Sequence, residues 1–348
     1  MTDSTPSENR YRHRKGLTAA ALLMLMGALT SCAATPEAEK STAPITLYSG
    51  RSEELIAPFI EAFTAETGIQ VETRFGDSAA LAAQLLEEGA NSPADLFLSQ
   101  DAGALGALSG AELLAPLEGE TLNQTPKEFI SREEDWVGIT GRARVFAYSP
   151  TRVSSLPGSV ADLVRPEWKG RVGIAPTNSS FQAFVTAMIQ SQGEPATQEW
   201  LEAIIKNEPK LYEKNSLIVE AIDSGEIDAG LVNHYYLWEV ASELGREIKV
   251  QNHFFTTGDI GNLLNVSGAG ILKSSKNQNG AKRFIEFLLS KAIQEKFVSD
   301  THEFSLEYPE LSPEGVPQWS SIGAPKVDLS ELADLQRTQK LLLKIGLL

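Results

Sequence analysis

The chain contains one cysteine, Cys32, in 348 residues, so no disulfide framework supports its fold. Histidine is almost as scarce. There are four, of which His13 lies near the N-terminus, and His253 and His302 sit in no ligand pattern and read as structural. The zinc-type His-Glu-x-x-His is missing, as are the Gly-x-Ser-x-Gly elbow, the Walker loop and the dinucleotide glycine fingerprint. No nucleophile–base pair stands out, so no catalytic residue is assigned and the reading turns from catalysis to binding. Positive charge is short as well: 30 Lys and Arg against 46 Asp and Glu, a formal charge of −16. Such a balance argues against nucleic acid or an anionic lipid surface as partner.

Only one apolar run is long, residues 17–29, and it is too short to cross a bilayer comfortably. It follows Arg10, Arg12, Arg14 and Lys15 and ends in Leu29-Thr30-Ser31-Cys32. That order is a signal peptide closing on a bacterial lipobox, with Cys32 as the lipidation site. Cleavage there lowers Lys and Arg from 30 to 26 and the acids from 46 to 44, so the charge becomes −18. Residues 33–43, rich in Ala, Thr, Pro, Glu, Lys and Ser, form a flexible tether. The expected location is outside the cytoplasm, anchored to the cell membrane through lipid alone.

About 300 residues remain, more than one core usually holds, so two lobes are expected. In the first, strand 45–48, a helix from about Glu53 with Gly68 as its stop, a strand through Ile69, Val71 and Thr73, a helix burying Leu81, Leu85 and Leu86, and strand 96–98 alternate. This is an α/β pattern with right-handed crossovers and a mostly parallel sheet. The loops 50–52, 76–78 and 99–101 should line one edge. Residues 142–148 read as a longer strand carrying the chain between lobes, and strand 172–174 follows Pro166-Glu167-Trp168-Lys169-Gly170. A helix then buries Phe181, Phe184, Val185, Met188 and Ile189. Another begins at Asn215-Ser216 with Leu217, Val219 and Ile222 inward. Residues 263–272 return as a strand to the first lobe. Helices are expected from Asn279 to about Phe297 and over 329–345. The lobes are then 44–144 with 258–348, and 145–257.

Two features carry chemistry. Asn178, Ser179 and Ser180 stand at a helix start, where free amides and the positive helix end suit an anion; ordinary capping is the alternative. The second is Asn233-His234-Tyr235-Tyr236, where a buried strand runs into a helix with Asn233 as expected N-cap. Both phenols converge on one point only where the backbone turns, at an element's end, and in open α/β sheets ligands bind there. A hard cation fits between them, provided it displaces protons that ordinarily leave near pKa ~10. Otherwise one ring packs in the core and the other covers the cleft. His234 should point away from the pair.

From Ile45 onward the chain resembles the ferric-ion-binding proteins of bacterial ABC iron importers. The resemblance is carried by Leu47-Tyr48-Ser49-Gly50, Ser92-Pro93-Ala94-Asp95, Gly141-Arg142-Ala143-Arg144-Val145 and Pro166-Glu167-Trp168-Lys169-Gly170. Leu231-Val232-Asn233-His234-Tyr235-Tyr236 and Ser267-Gly268-Ala269-Gly270 complete it. It implies a type II periplasmic-binding fold, two α/β lobes with a hinge and an interlobe cleft. It also implies Tyr235 and Tyr236 as ligands of Fe3+, and a synergistic anion, phosphate or carbonate. The anion contacts it implies are Asp101, Asn178, Ser179, Ser180, Asn215 and Asn233. The implied partners are a permease and ATPase, with the protein a monomer. The first lobe departs from the pattern: Ser52 replaces a histidine, Gln100 a glutamate, and Asp101 a glutamine. Asp101 is the one carboxylate left to stand in as an iron ligand. Phe181 stands where another branch has a further tyrosine. These losses keep open a metal-independent binder of a small anionic or organic solute, such as a phosphonate or thiamine, on the same fold.

Overall fold

The computed structural model describes residues 43–348. The signal segment 1–32 with Cys32, and the tether as far as residue 42, lie outside the described residues. Alternation of apolar side chains in the first stretch gives β1 (Ile45–Ser49), β2 (Val71–Phe75) and β3 (Leu96–Ser99). The middle of the chain supplies β4 (Trp136–Tyr148), β5 (Val172–Ile174), β6 (Lys210–Leu211) and β7 (Ala229–Asn233). Three more follow: β8 (Gln251–His253), β9 (Leu264–Ile271) and β10 (Phe304–Ser305). Along the sheet the order is β2-β1-β3-β9-β4-β7-β5-β6, with β8 and β10 each pairing β4.

The parallel character expected from the strand–helix spacing holds only toward the sheet's two ends. β1 runs parallel to β2 and β3, and β5 to β6 and β7. In the middle, β9 runs antiparallel to β3 and β4, and β4 antiparallel to β9 and β7, so each of these two strands enters from the side opposite to its own neighbours. β4 pairs with β9 as far as Ala143 and with β7 from Arg144 to Tyr148. One strand thus belongs to both halves of the sheet. It begins six residues earlier than the 142–148 stretch suggested, because Trp136, Val137 and Ile139 are buried on it.

Helices cover both halves. Glu53–Thr67 buries Ile56, Phe59 and Phe63, and Gly68 ends it at φ 75°, a left-handed turn that glycine adopts without strain. Phe59 stacks on Phe297 with ring centroids 4.0 Å apart, and Phe63 meets Phe284 edge-on at 4.9 Å. Each buried ring of this kind contributes about 1.5–3 kcal/mol through burial alone. Around β4 and β7, the helix Asn215–Ser224 packs Ile218, Val219 and Ile222 against Val145 and Val232.

Several expectations are corrected. Leu86 and Leu217 are 43% and 39% exposed. Each lies about 100° round its helix from a residue that does face the core, Leu85 and Ile218. The helix expected from Asn279 to Phe297 is two, Gln278–Leu289 and Lys291–Thr301, because Ser290 takes an extended conformation (ψ 145°). The final one divides into a 3-10 turn, Leu329–Ala333, and the helix Leu335–Lys344. Among the described residues no helix is long and apolar enough to cross a membrane.

Candidate functional site

β7 ends at Asn233, and the next helix, Tyr236–Leu244, begins only after a turn. Asn233 therefore does not cap that helix: it is the last ladder residue, opposite Arg144 of β4. The residue at the cap position is Tyr235, whose side chain makes no capping bond. His234 anchors the turn. Its Nδ1 accepts from the Ala143 amide (3.2 Å), so its Nε2–H donates to the His302 carbonyl (2.7 Å). The ring is fully buried and stacks on Phe304 at 4.5 Å, and burial pushes its pKa down to about 4. His234 faces away from the tyrosines' cavity, as the sequence led one to expect.

With the turn fixed, the two phenol rings lie side by side, centroids 4.5 Å apart and 28° from parallel. Burial raises the pKa of Tyr236, the neighbouring Tyr235 raises it further, and a hydrogen bond with Asn215 opposes both. Tyr236 therefore carries its proton at neutral pH.

Beneath the pair is a polar cluster. The Asn178 carbonyl oxygen accepts from the Ser180 amide (3.0 Å), the Ser180 hydroxyl (2.6 Å) and Asn215 Nδ2 (3.2 Å). Asn215 Nδ2 also donates to Ser180 Oγ at 3.0 Å. Asn178, at the start of helix Ser179–Gln192, thus does cap it, and the same oxygen organises the cluster. Ser179 is exposed beside it. Arg144, which in sequence belongs to the motif Gly141-Arg142-Ala143-Arg144-Val145 without a role at the site, completes this group. It is 1% exposed, and its Nη1 reaches Ser180 Oγ at 3.4 Å while Nη2 donates to the Leu231 carbonyl at 3.2 Å. Its Nε and the Asn215 carbonyl oxygen have no protein partner. Burial pushes the Arg144 pKa down to about 9, with Tyr236 acting in the other direction. A buried cation with a free donor is stabilised by an anion brought to it. The signal that could have revealed it is a pair of arginines, Arg142 and Arg144, inside a strand that is otherwise mostly apolar.

The opposite wall comes from the loops after β1, β2 and β3. The three loops do meet: the Gly50 amide donates to the Leu98 carbonyl, the Gly76 amide to the Ser49 carbonyl, and the Gln100 amide to Ser78 Oγ. A Cβ on Gly50 would lie 1.9 Å from Ser78 Oγ, so the first loop approaches as closely as only glycine allows. A cavity of about 570 Å3 lies between this wall and the tyrosines, lined by Arg51, Ser52, Gln100, Tyr235, Tyr236 and Trp238 among others. Asp101 is not on its lining. One of its carboxylate oxygens accepts from the Ala104 amide (3.0 Å), capping helix Ala102–Gly110, and burial holds the carboxyl above its usual range. Among the described residues no three His, Cys, Asp or Glu side chains converge as a metal cluster, although Glu54, Glu239, Glu243, Asp300 and Glu303 share the lining with the two phenols.

Residues 91–322 match the model of a family described as bacterial extracellular solute-binding proteins. The chain is 37% identical over 329 residues to the major ferric iron-binding protein of Neisseria meningitidis, covering 93% of this chain and 97% of that one. The chain belongs to the bacterial ferric-ion-binding protein family. It is 34% identical to the Fe(3+)-binding periplasmic protein of Serratia marcescens, over 87% of this chain and 90% of that one. Among solved structures of this family, iron-bound HitA of Pseudomonas aeruginosa superposes with a TM-score of 0.81 at 35% identity, over 87% of this chain and 99% of that one. A Trichodesmium protein in complex with iron and citrate superposes at 0.74 and 28% identity, over 87% and 99%. The fold is accordingly the two-lobe periplasmic-binding fold of this family.

Proposed function

We propose that the protein is the extracytoplasmic solute-binding component of an ABC importer, taking up ferric iron between its lobes and delivering it to a permease and ATPase. The observation that carries this reading is the stacked pair Tyr235 and Tyr236 on the wall of a cavity, backed by the buried Arg144. Fe3+ is a hard ion suited to phenolate oxygen, and its charge exceeds what two phenolates bring. A synergistic anion held by Asn178, Ser179, Ser180, Asn215, Asn233 and Arg144 supplies the remainder. Phosphate and carbonate both suit that cluster. Asp101, the first-lobe carboxylate in this reading, reaches iron only by leaving the cap of helix Ala102–Gly110 for the cleft. The names of the relatives support iron as cargo, and the chain acts by binding rather than by catalysis.

The lobes in this reading are 44–144 with 258–348, and 145–257, closing about β4 and β9. Lipid on Cys32 holds the monomer at the membrane, with residues 33–43 as tether. Binding breaks the two phenol O–H bonds and sends the protons to solvent.

The test is an absorption titration of the chain from Pro44 onward with chelated Fe3+, with and without phosphate or bicarbonate. A visible phenolate-to-iron charge-transfer band is expected, and Tyr235→Phe and Tyr236→Phe should each remove it or shift it. No band under any anion would sink the ferric reading and favour the metal-independent solute binder.

A further inference from the structure

The residue just before the tyrosine pair is held at every polar atom it has. The His234 amide donates to the Ala143 carbonyl at 2.9 Å, and its own carbonyl accepts from Asn252 Nδ2 at 2.8 Å. Its Nδ1 is taken by the Ala143 amide, and its Nε2 reaches the carbonyl of His302. The first three bonds stay within the sheet, on β4 and β8. The fourth goes to a distant segment, at the end of helix Lys291–Thr301.

That segment is unusual where it makes the bond. His302 ends its helix with φ 57° and ψ 22°, in the left-handed region that glycine ordinarily fills. Among the described residues Glu112, Glu134, Glu208 and His302 are the non-glycine residues with positive φ, and of these His302 alone lies on the cavity lining. A left-handed backbone kept at a ligand cavity points to a task that a glycine there could not perform. The His302 ring has such a task. It stacks on Trp238, centroids 5.0 Å apart and 25° from parallel. Trp238 stands in the first turn of helix Tyr236–Leu244, just past the pair. The next two residues extend the grip. Glu303, 2% exposed, accepts from Arg51 Nη2 at 2.7 Å and from Thr140 Oγ1, and Phe304 stacks on the His234 ring. Residues 302–304 thus fasten the first-wall loop at Arg51 on one side and the tyrosine turn on the other.

Resting on the ferric reading above, we propose that His302 is a positioning residue for the metal. Its carbonyl on His234 and its ring on Trp238 fix the turn and the first helical turn from which the two phenols project. Tyr235 and Tyr236 then stand in the geometry that iron needs before iron arrives. The first wall lacks the histidine and glutamate of the family pattern, so the phenols carry more of the metal's geometry, and holding them in advance lowers the cost of binding. His302 acts through His234 and Trp238, not as a ligand.

The experiment loads the chain from Pro44 onward with Fe3+ in phosphate, and reads band position, iron affinity and release to a competing chelator. His302→Gly suits the left-handed backbone and keeps the carbonyl, but removes the ring. Its denaturation midpoint should stay close to that of wild type, while iron affinity falls about tenfold or more, the range of an outer-shell partner, and the charge-transfer band shifts. His302→Phe restores a ring against Trp238 without a ligating nitrogen and should recover most of that loss. If His302→Phe fails to fold, Trp238→Leu removes the same stack from the other side and should match His302→Gly; wild-type affinity in Trp238→Leu overturns the proposal. Wild-type affinity and band in His302→Gly overturn it as well. So does a folded His302→Phe that binds as weakly as the glycine variant, since the imidazole nitrogen is then the active group. Absence of a band in the wild-type protein under any anion overturns the ferric reading itself, which no result with the variants can do.

Discussion

The two walls of the cleft are built differently. The wall carrying the tyrosines is densely bonded: Asn178, Ser180, Asn215 and Arg144 hold one another within hydrogen-bond distance, and His234 fixes the turn from behind through two backbone groups. The wall carrying Arg51, Ser52 and Gln100 is held through backbone bonds between its loops and through the buried ion pair of Arg51 with Glu303. A side chain locked by its neighbours can hold one small ligand in one geometry. A wall held mainly through its backbone accepts ligands of more than one shape. Under the proposed function, the second-lobe wall would recognise metal and anion in a fixed geometry and the first-lobe wall would adapt to what is bound.

That assignment fails first at the tyrosines if it is wrong. Tyr235→Phe or Tyr236→Phe removes one oxygen from the metal itself. The loss in ferric affinity should exceed the roughly 10–100-fold that an outer-shell partner costs. The pH dependence has a definite sign. The raised pKa of Tyr236 means that binding releases its proton at any pH below that value, so affinity should rise at least about tenfold per pH unit between pH 6 and 8. Competition against a chelator whose own protonation is accounted for measures it, and a flat profile would remove Tyr236 from the metal.

His234 is next in size. Its folded pKa of about 4 lies below the ordinary 6.5. Between these values the unfolded chain binds the proton and the folded chain does not. The associated stability is present above pH 6.5 and is lost as pH falls toward 4, about 3 kcal/mol in all. Denaturant unfolding of wild type and His234→Gln at pH 7 and pH 4 should show a shallower dependence in the variant. If both lose the same stability, the imidazole is not the group responsible.

The sequence made the second wall more legible than the first, for a physical reason. A tyrosine pair at a strand end and Asn-Ser-Ser at a helix start are local patterns, and the structure brings Asn215 to them as the resemblance implied. Arg144 belongs to one of the motifs, yet its place at the site is not legible there, because that place depends on which face of β4 meets Ser180, and this is set by pairing with β7 rather than by nearby residues. The sheet's antiparallel centre was missed for a similar reason: β9 and β4 each come from far along the chain. The break at Ser290 was hidden because apolar spacing continues across it through Leu288, Leu289 and Ile293. On the first wall the expected carboxylate, Asp101, turned inward to cap a helix. Nothing in local spacing distinguishes a cap from a ligand.

Arg144→Lys tests the dense wall with a smaller effect. Lysine keeps the charge but cannot reach both Ser180 and the Leu231 carbonyl, and it loses contact with the Phe181 and Phe184 rings, 5.4 and 5.0 Å from the guanidinium. Iron affinity in the presence of phosphate should fall about 10–100-fold, the range of an outer-shell partner. The tyrosine band should persist at saturating iron. A variant that binds as tightly as wild type in phosphate would place the anion elsewhere.

The smallest expected effect is a gain, on the sparse wall. Gln100→Glu puts a carboxylate on the lining where the family pattern has one, without changing the side chain's length. If residue 100 reaches the metal once the lobes close, ferric affinity in carbonate or phosphate should rise about tenfold, near 1.4 kcal/mol. An unchanged affinity with both anions would place residue 100 beyond the metal's reach, and the first wall would then differ from the second in task as well as in packing.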